Sequence, residues 1–234
     1  MAKTRVSVGY APSPLILIAP HGYKGDDFNT DIFTETLAGM LDCNYVINHG
    51  WKKIEKPDLS NEKANCNNYT HMIDEVAEEF LFPLLGIAKT VVKFYGYGIA
   101  CWIHGVRDDV RKKYNKKDID VIFGDGQGTS KNSKTCNSAL KDFVVYNLSE
   151  SGIKTYCSFP GDLYNGANYI NMNQLWCNHH PDPRMQSFQL EITKDLREDK
   201  TMTTLTADCF AEAFKNITNY RNFNRPYNYI LPIL

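Results

Sequence analysis

Short, uninterrupted apolar runs alternate with amphipathic segments along this chain, and this alternation limits the possible folds. Leu15–Ala19 and Ile99–Ile103 contain no charged residue, which is typical of strands covered on both faces, as in a parallel sheet. Asp31–Leu41 and Thr70–Phe94 repeat apolar residues at helical spacing. Pro83 should kink or divide the second of these helices. Strands that alternate with helices predict an α/β fold with a mostly parallel sheet.

The composition indicates one globular unit. The chain has 234 residues, 43% of them hydrophobic, with 14 Tyr and 12 Phe, which is ample for a packed core. Neither an internal repeat nor a linker is evident, so we expect a single domain over residues 1–234. The net charge is −1, and a nucleic-acid partner is not expected because the basic run at residues 111–117 is short. Nor is a membrane partner expected, since no apolar stretch approaches the ~20 residues of a membrane-spanning helix.

The beginning of the chain and its cysteines predict a compartment. Lys3 and Arg5 are followed by a polar segment rather than by the apolar region of a secretion signal. Seven cysteines are scattered along the chain, and no two form a C-x-x-C pair. An odd number of dispersed cysteines favours free thiols, so we expect a cytoplasmic location.

Two histidines occupy equivalent places, each at the carboxyl end of a predicted strand and followed by glycine. His21 follows the first apolar run, and His104 follows the run that ends at Ile103. Ligands of open α/β sheets gather beyond the carboxyl ends of the strands, so the two imidazoles are placed to converge. Asp26 or Asp27 would complete a two-histidine, one-carboxylate metal site. Asp26 is our choice, because the turn before it is able to fold its carboxylate back. The alternative is that both histidines bond only to loop backbone.

Glu191 is the second unusual residue. In Gln186–Ile192, Phe188 and Leu190 lie on one face of a predicted strand, and Gln189 and Glu191 lie on the other. A carboxylate near the ligand edge of a sheet is suited to general acid and base catalysis. The alternative is that Gln189 and Glu191 belong to an exposed strand face.

Several short blocks resemble N-formylglutamate amidohydrolase-like proteins, a family of zinc carboxypeptidase-like hydrolases. The resemblance covers roughly residues 14–200. It is carried, in chain order, by Pro20-His21-Gly22 with Asp26, Ile103-His104-Gly105, Asn165-Gly166-Ala167, and Gln189-Leu190-Glu191-Ile192 followed by Leu196-Arg197. It implies a three-layer α/β/α fold of the phosphorylase/hydrolase type with a mixed, mostly parallel sheet.

The resemblance also implies a chemistry. One Zn²⁺ would be held by His21, Asp26 and His104, and Glu191 would take a proton from metal-activated water and pass it to the leaving amine. The turn that contains Asn165 and Gly166 would face the substrate. The implied substrates are small N-acyl amino acids, glutamyl amides or short peptide-like molecules, and the implied reaction is hydrolysis of a C–N bond.

One block departs from the family pattern. Relatives have Asp-Leu-Asn-Arg between the two histidines, and the corresponding stretch here is Asn65–Asn68. Asn67 fits the pattern as a substrate-binding residue, but Asn68 replaces the arginine, and an amide lacks the charged, bidentate fork that clamps a carboxylate. Arg107 is the candidate to take over that task, or it pairs with a neighbouring aspartate on the surface. This departure leaves a second hypothesis open: a catalytically inactive protein that binds an acyl-amino acid or a peptide.

Overall fold

The computed structural model describes residues 5–22, 27–51, 65–106, 118–128 and 134–218. Within these ranges seven strands form one sheet. They are β1 (Val6–Gly9), β2 (Leu15–Ala19), β3 (Asn44–Asn48), β4 (Gly98–Val106), β5 (Val121–Gly124), β6 (Thr155–Cys157) and β7 (Met185–Thr193).

The longer helices alternate with these strands. They are α1 (Thr30–Leu41), α2 (Asp74–Val76), which continues through a π-helical turn (Ala77–Leu81) into α3 (Phe82–Tyr95), α4 (Ser138–Glu150) and α5 (Lys200–Phe214). Short 3₁₀ and π turns lie between these elements: Tyr69–His71, Met172–Gln174, Leu175–His179 and Lys194–Arg197.

The sheet has the strand order β1-β3-β2-β4-β7-β5-β6. Strands β3, β2, β4 and β7 run parallel to one another, whereas β1 is antiparallel to β3 and β5 is antiparallel to β7. The carboxyl ends of β2, β4 and β7 therefore meet at one edge of the sheet. Glu191 on β7 is the register partner of His104 on β4, so these two candidate site residues lie side by side.

Two apolar cores cover the two faces of the sheet. On one face, alternate residues of the central strands, such as Leu17 and Cys101, pack with α1, α4 and α5. On the other face, Ile18 and Trp102 pack with α3. Both faces of the central strands are thus buried, which explains their continuous apolar runs. The predicted three-layer α/β/α fold with a mixed, mostly parallel sheet is confirmed.

The helices lie close to the segments that the sequence predicted: Thr30–Leu41 against Asp31–Leu41, and a helical stretch from Asp74 to Tyr95 against Thr70–Phe94. Helix α1 begins after Asn29, which has a left-handed φ of 62° and makes no side-chain capping bond. The Thr30 hydroxyl donates to the carbonyl of Asp27. The π-helical turn directly precedes Pro83 in the first turn of α3. Proline has no amide hydrogen, so the interruption lies where the sequence placed it.

All seven cysteines lie within the described residues, and all are free thiols. Cys43, Cys66, Cys101 and Cys136 are buried, and burial raises the pKa of the Cys43 thiol to about 12. A thiol in such an environment is a poor nucleophile. In the part of the chain that the structure describes, no helix has the length and apolarity needed to cross a membrane.

Candidate active site

His21, Asp27 and His104 converge at the carboxyl edge of the sheet. Their candidate ligand atoms all lie within 4.8 Å of one another. Nδ1 of His21 is 3.4 Å from Oδ2 of Asp27, and Nδ1 of His104 is 3.3 Å from the same oxygen. The two imidazole rings are 5.3 Å apart between centroids and meet edge to face. Two nitrogens and one carboxylate oxygen that converge on one point are a donor set suited to Zn²⁺, and they leave one coordination position open.

The electrostatics of this cluster favour an ionised aspartate. Burial of Asp27 opposes its ionisation, but hydrogen bonds with His104 and His21 and the attraction of both rings outweigh that effect. The pKa of Asp27 therefore lies well below its ordinary value. An aspartate that stays charged is available as an anionic metal ligand.

Asn65 determines which nitrogen of His21 faces the cluster. Oδ1 of Asn65 lies 2.6 Å from Nε2 of His21 and also accepts the backbone N–H of Asn67 at 2.9 Å. The second bond identifies that atom as the amide oxygen, so Nε2 of His21 must be the donor. Nδ1 is then the nitrogen that faces Asp27, and in the neutral ring that would bind a metal it carries the lone pair. A second polar residue that holds a histidine in this way is a regular feature of metal sites.

Removal of the Asn65 amide should weaken metal binding without destroying the ligand set. We expect Asn65→Leu to lower Zn²⁺ affinity by about 10- to 100-fold, because the tautomer and the ring orientation of His21 are no longer fixed. Competition with a chromophoric chelator measures this change. Asn67→Ala is the matched control, since the Asn67 side chain lies in the same turn and makes no bond to either histidine within the described residues. Equal affinities of wild type and Asn65→Leu would contradict the assigned role.

Glu191 lies beside the histidine–aspartate cluster. Its side chain lies in a cavity of about 360 Å³ that is also lined by His21, Asp27 and His104. Glu191 is only 6% exposed, so the alternative that it belongs to a solvated strand face is wrong. Its Oε1 accepts a hydrogen bond from Nε2 of Gln189 at 3.1 Å. A buried carboxylate within the same cavity as a cation site is positioned for proton transfer.

Arg197 ties together the backbone segments that carry the site. Its guanidinium donates to the carbonyls of Phe28, Val106 and Ile192, which follow Asp27, His104 and Glu191 within two residues in each case. Arg197 is 3% exposed. A Cβ atom on Gly105 would collide with this guanidinium, which explains the glycine after the second histidine.

The loss of Arg197 should strongly destabilise the fold. Arg197→Met would leave three carbonyls without their donor, and each unsatisfied buried group costs about 1–3 kcal/mol. We therefore expect the free energy of unfolding, measured by urea denaturation, to fall by about 3 kcal/mol or more. Arg184→Met is the control, because Arg184 pairs with Asp182 at an exposed site, and such pairs contribute about 0–1 kcal/mol. Similar losses in the two variants would show that the three carbonyl bonds contribute little.

The other residues predicted for the site have different positions. Asn67, Asn165 and Gly166 line the cavity, and the Asn165 amide donates to the carbonyls of Gln127 and Phe159, which fixes its loop. Asn68 is buried and is not among the residues found to line the cavity; its side-chain oxygen accepts a bond from the Thr70 hydroxyl.

Two predicted residues lie outside the described ranges. These are Asp26, the chosen third ligand, and Arg107, the candidate substrate clamp. The carboxylate that the structure brings to both histidines is the adjacent Asp27, which the sequence offered as the alternative ligand. Asn65 and Gln189 were recognised in the sequence only as members of short blocks, because their roles depend on contacts across the fold.

No family model and no curated protein sequence matches the chain. Its structure is similar to that of an N-formylglutamate amidohydrolase from Ralstonia eutropha JMP134, with a TM-score of 0.64 and 14% identity over 93% of this chain and 98% of that one. The chain has the fold of that amidohydrolase. A bacteriophage poly-gamma-glutamate hydrolase gives a TM-score of 0.56 and 15% identity, covering 91% of this chain and 86% of that chain.

A third similar structure is YNDL in a zinc-free form, with a TM-score of 0.52 and 15% identity over 92% of this chain and 88% of that chain. These likenesses extend over nearly the whole of each protein, so the N-formylglutamate amidohydrolase-like resemblance seen in the sequence is confirmed for the fold. At such identities they establish the architecture and leave the chemistry to be argued from the residues of the site.

Proposed function

We propose that this protein is a zinc-dependent hydrolase that cleaves an amide C–N bond in an N-acyl amino acid or a glutamyl-type substrate. The observation that carries the proposal is the convergence of His21, Asp27 and His104 within the cavity that also contains Glu191. Neither the histidine–aspartate cluster nor Glu191 suffices alone, since such a cluster without a base would serve structure or metal storage equally well. Together they supply the groups that metal-assisted hydrolysis requires.

The residues present fit a divalent cation. Nδ1 of each histidine and a carboxylate oxygen of Asp27 would hold it, and this set of two nitrogens and one oxygen leaves a coordination position open. When bound, the ion supplies Lewis-acid chemistry: it makes water more acidic and polarises the amide carbonyl. Zn²⁺ is the ion we propose, in one copy, because imidazole with carboxylate is a ligand combination that suits it.

Glu191 performs the proton transfers in this proposal. As a carboxylate it takes one proton from the attacking water while the new C–O bond forms. As a carboxylic acid it then gives that proton to the amide nitrogen while the C–N bond breaks. The products are a carboxylic acid and an amine, and Glu191 returns to its starting charge. Because Glu191 lies beside His104 in the β4–β7 register, both proton transfers take place next to the proposed metal ligands.

The dimensions of the cavity and the similar structures support a small substrate. A cavity of about 360 Å³ lies near the lower end of the range for small-molecule sites. It suits one amino-acid-sized group with its acyl substituent, or the end of a short peptide-like chain. Two proteins of similar structure are named for N-formylglutamate and for poly-gamma-glutamate, and in both compounds the nitrogen of the amide belongs to a glutamate residue.

The test combines metal content with turnover. Purified protein, stripped with a chelator and reloaded with Zn²⁺, should bind about one equivalent and release an amine from some member of a panel of N-formyl- and N-acetyl-amino acids, γ-glutamyl amides and poly-γ-glutamate. The stripped protein should be inactive and recover with Zn²⁺. Tight zinc binding with no product from any member would reject the hydrolase, and failure to bind any divalent metal would reject the whole proposal.

One observation favours a second candidate, a binding protein that has lost its chemistry. Asn68 replaces the arginine of the family pattern, and its side chain bonds to Thr70. If this loss abolished productive substrate orientation, calorimetry would detect binding of an N-acyl amino acid while amine release stayed at background. Any zinc-dependent release of amine above background excludes this candidate.

A further inference from the structure

Strand β7 carries three polar side chains on one face: Ser187, Gln189 and Glu191. They are 1%, 2% and 6% exposed, respectively. Burial of polar groups is unfavourable unless hydrogen bonds compensate for lost hydration. Ser187 is compensated by Trp102, whose indole N–H it accepts, and by Asn173, to which its hydroxyl donates. Gln189, in contrast, bonds to Glu191 on the same strand.

The Gln189 amide donates both of its hydrogens to acceptors. Nε2 is 3.1 Å from Oε1 of Glu191 and 2.7 Å from the carbonyl oxygen of Tyr164. If the amide were rotated by half a turn, its oxygen would face that carbonyl and the carboxylate, both of which are rich in electrons. The two acceptors therefore fix the orientation of the amide, and through it the direction of the Glu191 carboxylate.

This orientation leaves the other end of the amide unsatisfied. Oε1 of Gln189 is buried and has no hydrogen-bond partner among the residues that the structure describes. Gly166, with a left-handed φ of 73°, packs against it: a Cβ there would lie 2.6 Å from this oxygen. An unsatisfied buried acceptor is unfavourable for folding, and such groups in native proteins often have a functional explanation.

We propose that Gln189 is a positioning residue that holds the Glu191 carboxylate in its catalytic orientation. The Tyr164 carbonyl anchors the Gln189 amide, and Gly166, which has no side chain, leaves room for it. This inference rests on the proposed hydrolase function and adds a residue to it. Gln189 needs no contact with substrate, because it acts through Glu191.

The test is Gln189→Met, which keeps the length of the side chain and removes its donor. We expect kcat to fall by about 100-fold, the order of loss that follows a misplacement of about 1 Å, while KM and zinc affinity stay unchanged. In a Glu191→Gln background the same substitution should cause almost no further loss, because residues that act as a unit are non-additive.

Ser187→Ala is the matched control. It removes a buried polar group from the same strand face, two residues from Gln189, and should lower stability while leaving kcat near wild type. If Gln189→Met fails to fold, the side-chain ¹⁵N–¹H signals of Gln189 in the wild type and in Glu191→Gln provide a second measurement. They should shift, since the acceptor changes from a charged carboxylate to a neutral amide.

The outcomes separate this inference from the proposed function. Absence of hydrolysis by zinc-loaded wild type overturns the proposed function, and the positioning role falls with it. Hydrolysis by wild type together with an unchanged kcat in Gln189→Met overturns the positioning role alone. So does a full additional loss in the Glu191→Gln background, or unshifted Gln189 signals.

Discussion

His104→Ala should abolish the metal binding that we propose. His104 is one of three candidate ligands, and alanine leaves only His21 and Asp27 to hold an ion. Because loss of a residue that merely supports a ligand costs about 10- to 100-fold in affinity, we expect loss of the ligand itself to exceed about 100-fold. Zinc content after dialysis and competition with a chelator measure the effect.

His49→Ala is the control for this prediction. His49 is a partly exposed histidine that bonds to Ser7 and Asp31 and does not line the cavity that contains the cluster, so its loss should leave zinc affinity unchanged. Asp27→Ala and Asp26→Ala extend the test to the two adjacent carboxylates. We expect the first to lose zinc and the second to retain it. Full zinc retention by His104→Ala would exclude the proposed ligand set.

Glu191→Gln should keep the metal and lose the reaction. Glutamine has nearly the shape of glutamate, but it is unable to accept a proton from water and pass it to a leaving amine. General acid and base catalysis contributes about 10²- to 10⁴-fold, and kcat should fall by a factor in that range. Stopped assays of amine release with zinc-loaded protein measure it.

The Glu191 prediction also has an internal check. Zinc content should be equal in wild type and Glu191→Gln, which separates a lost base from a lost metal. The control is Gln186→Glu, which makes the opposite change on the same strand. The side-chain oxygen of Gln186 accepts the backbone N–H of Asn137 outside the cavity, so this variant should leave kcat near wild type. Undiminished turnover by Glu191→Gln would remove Glu191 from the mechanism.

The fold was largely predictable because buried strands and helix faces require apolar residues at regular positions in the sequence. Strands β2 and β4 are covered by helices on both faces, so their residues are continuously apolar, and the positions of His21 and His104 followed from where those runs end. The antiparallel direction of β5 beside β7 requires no such pattern, since strand direction depends on connections and pairing rather than on residue type.

The finer parts of the site were beyond sequence reasoning. Asp26 and Asp27 are chemically identical neighbours, and only the path of the backbone decides which of them approaches the histidines. Asn65 acquires its role from a contact with His21 across 44 positions of the chain. Arg197 acts through its distance to three carbonyls, which no local pattern encodes.

The three carbonyl bonds of Arg197 have a consequence for the order of assembly. Arg197 holds together the segments that carry Asp27, His104 and Glu191, so assembly of the proposed metal site need not wait for an ion, in contrast to zinc fingers, in which binding and folding are one event. A chelator should therefore abolish hydrolysis while leaving a folded protein, and reloading should be limited by diffusion of the ion rather than by refolding of the chain.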